Sequence, residues 1–230
     1  MSNLRQVDEL REGEMVSVWY GVASYMETVK VSYRRDLWQD QPAHVEIWSE
    51  KASVLGSLRP VTQELSVMLR ACRGFGSTGM EGQIGSLFEG IQKPIHVFYL
   101  GDHDPSGHDI ERDIHTRCQE ASGKNFAMSR LAIHPEDIQR FHLPPQQIKS
   151  TDSRSAAFQR RFGRQAPTVE LDALPVEELR SRVRKAAQEL IEVDRWNRQI
   201  GIQEVELKCI SDFTEQVRTL KQMKVKRGRK

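Results

Sequence analysis

Long apolar runs are missing from this chain of 230 residues. None approaches the roughly 20 residues that a membrane-crossing helix needs, so neither a span nor a membrane partner is expected. Cysteine is scarce. Cys72, Cys118 and Cys209 are far apart and odd in number, and no CxxC pair occurs. That usage argues against a zinc knuckle or a disulfide frame and reads as the reduced thiols of a cytoplasmic protein. No HxH or HExxH spacing supports a zinc enzyme, and no GxSxG or Cys–His pairing suggests acyl transfer. The glycine-rich run GFGSTG, residues 74–79, lacks the GKS or GKT of a Walker loop. It serves equally as a tight turn or as backbone amides around a phosphate. The opening segment, MSNLRQVDELREGE, is charged and polar, unlike a secretory signal. No repeat with a period of about 20–50 residues is visible, which argues against a solenoid.

What is present is 38% hydrophobic and 29% charged, enough for a real core under a wide polar surface. From Ala43 onward short apolar runs alternate with helical patterns. AHVEIWS reads as a strand, 51–65 as a helix that Pro60 kinks or leaves with a broken first turn, and VMLRAC as a second strand. Residues 80–91 read as a helix, IHVFYL as a third strand, 106–119 as a helix and FAMSRLAI as a fourth strand, with a short helix after Pro135. Strand and helix alternating across tight loops predict an α/β fold: a parallel sheet of about four strands with helices on both faces. Before it, VSVWYGVASYMETVKVSY fits two short strands or a strand and a helix. After it come the loop LPPQQIKSTDSRS, a short basic helix SAAFQRRFG and a strand-like TVELDAL. Two amphipathic helices follow, about 175–196 and 203–223. The expected division is a short N-terminal extension at 1–40, an α/β domain at 41–174, and a helical extension with a basic tail at 175–230.

The third strand runs into DHDPSG, and the first into SEK. In an open parallel sheet functional groups collect beyond the carboxyl ends of strands. If these strands are neighbours, Glu50, Asp102 and Asp104 converge at one edge. Two aspartates at i and i+2 lie on one side of an extended chain, roughly 6–7 Å apart. Nothing apolar accounts for like charges gathered there, whereas Mg²⁺ (or Mn²⁺) takes carboxylates and waters. Such an ion would neutralise charge on a phosphate oxygen. Glu50 is a ligand or an acid/base, and Lys51 pairs with a phosphate or keeps Glu50 ionised. The plainer readings are that Glu50 favours a helix dipole and that DPSG is a turn and helix cap. Glu46 lies on the same strand face with His44 and Trp48 and reads as a solvent-facing edge position. His103 and His108 read as exposed loop residues that could reach a phosphate or the metal shell.

Two rivals share the DxD spelling. DHDPSGHDIERD imitates a calcium loop with Gly107 sixth, but Asp109 and Asp113 stand where an apolar residue and Glu are usual, and a strand precedes it. A haloacid-dehalogenase-like phosphotransferase would place the nucleophilic aspartate on the first strand of its sheet, not after a βα unit.

The net charge is only +2, but it is unevenly placed. KQMKVKRGRK closes the chain with six basic residues and no acid, and Arg154, Arg160, Arg161 and Arg164 form a second cluster. Such patches suit a polyanion through counterion release; a solvated, frayed tail is the plainer reading of the first.

Glu50-Lys51 after one strand, with Asp102, Asp104 and Gly107 in DHDPSG after another, resembles the Toprim domain of topoisomerases, bacterial primases, OLD-type nucleases and recombination proteins. The spelling is most similar to the branch with the type IIB topoisomerase A subunit, the meiotic double-strand-break protein and Toprim proteins of phages and mobile elements. The likeness spans about residues 36–175. It implies Glu50 as the catalytic glutamate, Asp102 and Asp104 as metal-binding aspartates, and Gly107 as a close-packed glycine. Glu170 and Asp172 in VELDAL match a later family segment to which no role is given. The implied function is Mg²⁺-dependent phosphodiester chemistry on DNA, by a nuclease or a topoisomerase-like protein. Type IIB enzymes carry an attacking tyrosine on a winged-helix domain before Toprim, and residues 1–40 are too few for one. Water as nucleophile, or a tyrosine or DNA-binding domain supplied by a partner subunit, is then expected. A homodimer is the other expected assembly, and a non-catalytic nucleic-acid-binding or assembly subunit with a vestigial site, its long helices paired with a partner, is the alternative function.

Overall fold

The structure, a computed structural model, describes residues 18–72, 80–146 and 154–227. The glycine-rich run at 74–79 and the side chains of the basic tail from 221 onward lie outside the described residues. The chain divides into two compact units, Asp36–Arg198 and a second made of the residues before Asp36 with those from Gln199 onward.

The larger unit is a four-stranded, all-parallel sheet in the order β2-β1-β3-β4, with β1 His44–Ser49, β2 Met68–Ala71, β3 Ile95–Leu100 and β4 Ala127–Ala132. β1 and β3 are central and covered on both faces, which is why they read as nearly continuous apolar runs. Alternate residues of each strand feed two cores. Val45 and Ile47 pack with Leu58 and Val61 of α2 (Leu55–Glu64) and with Leu179, Val183 and Ala187 of α7 (Val176–Gln188). Trp48, Val97 and Tyr99 pack on the other face with Ile84 and Phe88 of α3 (Met80–Gly90) and Ile114 and Cys118 of α4 (Pro105–Ser122). This is the expected α/β layout with helices on both faces.

Local chemistry sets the ends. α4 starts at the Asp104 N-cap with Pro105 next, and stops at Gly123, whose φ of 63° is the left-handed cap that favours glycine. α5 (Pro135–Arg140) starts on a capping box between His134 and Asp137. α2 follows a 3-10 turn at Ala52–Val54, and Pro60 sits within its body. The helical donor lost there would have served the carbonyl of Gly56, which is exposed and meets water instead. The short basic helix is α6, Ser155–Phe162. TVELDAL makes only isolated bridges, Gln146 to Thr168 and His103 to Val169, before a 3-10 turn at Leu171–Ala173.

The second unit contains α1 (Val22–Ser32) and the part of α8 (Val193–Arg227) from Gln199 on. Among its described residues the N-terminal segment forms one helix and no strand, which corrects the expectation of two short strands or of a strand and a helix. Tyr33 Oη donates to Glu206 Oε2 at 2.5 Å, and Arg35 reaches Glu206 at 2.7 Å. Among the described residues no helix is long and apolar enough to cross a membrane.

Candidate functional site

β1 and β3 are neighbours in register, Ser49 opposite Leu100, so their carboxyl ends deliver Glu50 and Asp102 side by side. The Glu50 amide donates to the Leu100 carbonyl at 2.8 Å, continuing the ladder one step past the strands. Glu50 Oε2 accepts the Asp102 backbone N–H at 2.9 Å. Both acids are more than nine-tenths buried. Asp104 is half-buried, and its Oδ1 accepts the Gly107 N–H at 2.6 Å as the cap of α4. The turn-and-cap reading of DPSG therefore holds together with the convergence, not instead of it. Gly107 is required by close approach. A Cβ there would stand 2.5 Å from the Asp102 carbonyl and 2.9 Å from Glu50 Oε2.

The acids feel each other. Burial, then the charge of Asp102, push the Glu50 carboxyl up to about 7 despite the Asp102 N–H. Burial also raises Asp102, although the Leu171 N–H (2.7 Å to Oδ1) and Lys51 favour its charged form. Lys51 does not pair with Glu50. Its ammonium lies 3.4 Å from Asp102, 3.0 Å from Glu170 and 3.2 Å from Asp172. Burial acts against the charged ammonium, but the hydrogen bonds to Glu170 and Asp172 and the Asp102 charge outweigh it and raise its pKa. The acids of VELDAL thus have a place: they hold Lys51 against Asp102.

Sequence reasoning missed Arg130 on β4. Its Nη1 donates to the carbonyls of Gly101 and Asp102 at 2.9 and 3.0 Å, its Nη2 to Gly107 at 3.3 Å, and its Nε to Glu111 at 2.7 Å. One buried guanidinium thereby staples both ends of the DHDPSG loop. A lone arginine inside the otherwise apolar run FAMSRLAI was the available signal.

Three sequence expectations are corrected. Glu46 is fully buried, not an exposed edge residue, because β1 has a strand on each side. It accepts from Arg70 at 2.6 and 3.1 Å and from Trp48 Nε1 at 2.7 Å. His103 is buried and bridged to Val169, and His108 is half-buried on α4, so neither is an exposed loop residue. Their rings meet at 3.1 Å and pack with Phe158 and Phe162 of α6 at 4.8–5.7 Å between centroids. This aromatic contact docks the basic helix beside the acidic edge. Arg160, Arg161 and Arg164 are exposed there and pair with no carboxylate among the described residues, and Arg154 is exposed at the start of the same helix.

Among the described residues no group of three or more His, Cys, Asp or Glu side chains is arranged to hold a metal ion. The donor set therefore does not make a closed cage. Mg²⁺, however, is usually held by one or two carboxylates and keeps several waters. Glu50 and Asp102 supply two hard oxygen donors in one buried spot, each with one carboxylate oxygen outside the hydrogen bonds above. They fit a hydrated divalent cation, with Asp104 beside them. No protein-family model matches the chain, and no curated protein matches it.

Proposed function

We propose that this chain performs Mg²⁺-dependent phosphodiester chemistry on DNA, as a Toprim-like nuclease or topoisomerase-like protein of the cytoplasm. The observation that carries the reading is the meeting of Glu50 and Asp102, buried and hydrogen-bonded, at adjacent strand ends. Mg²⁺ or Mn²⁺, when bound, supplies charge neutralisation at the phosphate oxygens. Glu50 and Asp102 would hold it, Asp104 completes the acidic edge while capping α4, and Glu50, where it is not a ligand, would exchange a proton with a leaving oxygen. Lys51 positions Asp102 through the knot with Glu170 and Asp172. Arg154, Arg160, Arg161 and Arg164 contact backbone phosphates without reading sequence. Water as nucleophile gives a nuclease; a tyrosine from a partner subunit gives a cut-and-reseal reaction.

A second reading has its own support. Lys51 already neutralises Asp102, and Asp104 already serves as a cap. Both roles suit a non-catalytic nucleic-acid-binding or assembly subunit with a vestigial site. Nicking of supercoiled plasmid separates the two. With Mg²⁺ the chain is expected to nick, and Glu50→Gln and Asp102→Asn are each expected to slow the rate by roughly 100-fold or more. Nicking that survives both substitutions overturns the assignment, and its absence with either cation favours the second reading.

A further inference from the structure

Among the described residues, nine of the exposed large apolar side chains lie in the smaller unit, among them Val205, Phe213 and Leu220 of α8, which are 63%, 50% and 60% exposed. The buried residues of this unit among those described are, by contrast, polar: Gln199 and Thr214. α1 buries no residue at all. Met26, Val29, Leu207, Ile210 and Val217 are half-buried, so the helix pair has used its apolar surface only in part.

The unused surface is ordered. Ile202, Val205, Cys209, Phe213, Gln216 and Leu220 fall within an arc of roughly 80° at 3.6 residues per turn. Polar contacts to the α1 segment come from another side of α8: Glu206 to Tyr33 and Arg35, Gln203 to the Arg35 amide at 2.8 Å, and Arg218 to Glu27 at 2.8 Å. Among the described residues the stripe therefore remains open. It is also close to palindromic. Ile202 and Leu220, Val205 and Gln216, and Cys209 and Phe213 sit at matched distances from a midpoint near Ser211.

We propose that this stripe is an antiparallel, two-fold interface with a second copy of the chain. An isologous interface requires that residue i meet j while j meets i, which a palindromic stripe satisfies. Ile202 then packs on Leu220 of the second copy, and Cys209 on Phe213. Charge agrees. Lys208 and Asp212 flank the same edge of the stripe, and in an antiparallel pair that edge meets itself. Lys208 thus faces Asp212 of the second copy, twice per dimer. Neither residue has an ion-pair partner among the described residues. The inference stands apart from the phosphodiester reading.

Light scattering coupled to size exclusion of the full chain tests it. Twice the chain mass is expected at micromolar concentration. Phe213→Glu is expected to give the single-chain mass, with unchanged far-ultraviolet circular dichroism because the position is exposed. Lys208→Glu is expected to weaken the dimer and Lys208→Glu with Asp212→Lys to restore it, a rescue that keeps the test valid should Phe213→Glu misfold. A single-chain mass at about 100 μM protein overturns the proposal. So does a dimer indifferent to Phe213→Glu, or a charge swap without rescue.

Discussion

Asp102 meets opposing demands: burial disfavours its charge, while a backbone N–H and an ammonium favour it. The same burial governs its neighbour His103, and it does so with a measurable sign. Burial, then the Arg130 charge, press His103 down to about 4 and His108 down to about 3. In the unfolded chain a histidine takes up its proton near pH 6.5. Below that pH the unfolded state binds protons that the folded state refuses, so stability falls with pH. The two histidines are expected to withdraw about 1–3 kcal/mol between pH 6.5 and 5, a loss that Glu50, which takes up its proton below about 7 in the folded chain, partly offsets. Urea midpoints across that range check it. Replacing both histidines by glutamine should remove the loss, so that the variant gains on the wild type as pH falls from 6.5 to 5; a difference between the two that does not change with pH would contradict the burial argument. At this scale Glu50, Asp102 and Asp104 were legible because like charges at strand ends have no apolar explanation. Arg130 and the buried state of Glu46 were not, since each is satisfied by a tertiary partner: the loop carbonyls for one, Arg70 for the other.

Elements were legible where one period dominated. β3 begins and ends where its apolar run does, and α4 where its cap and terminal glycine stand. The C-terminal helices were harder. The sequence suggests continuity to Trp196, yet α7 ends at Gln188 and α8 begins at Val193. Gln41 makes the break. Its side chain accepts the Glu192 N–H at 2.8 Å and donates to the Glu192 carbonyl at 3.1 Å. Leu190 and Ile191 meanwhile turn into the core. No local pattern announces a contact spanning that much sequence. α7 accordingly belongs with the sheet core, where Leu179 and Val183 are fully buried against the α2 side. Leu179→Ala is expected to cost about 2–5 kcal/mol. In thermal unfolding that is a fall of roughly 5–15 °C for a chain of this size. A loss below about 1 kcal/mol would mean that α7 is a detachable extension.

Across the molecule the net charge of +2 conceals segregation. Acids gather at the carboxyl edge of the sheet, and α6 sets guanidinium groups beside them through the His103, His108, Phe158 and Phe162 contact. Under the proposed function that juxtaposition would let a phosphate backbone bridge a bound cation and the arginines. The parallel sheet follows from the βα alternation seen in sequence; that β1 and β3 are neighbours in it does not, since alternation leaves the strand order open. The knot of Lys51 with Asp102, Glu170 and Asp172 could not be read there, because it joins residues far apart in the chain. Titration with Mn²⁺, followed by the loss of its free paramagnetic resonance signal, tests the acidic site most directly. One site per chain is expected in the wild type, lost in Glu50→Gln and in Asp102→Asn but kept in Glu46→Gln. No binding by the wild type, or binding that both site substitutions leave intact, would contradict it.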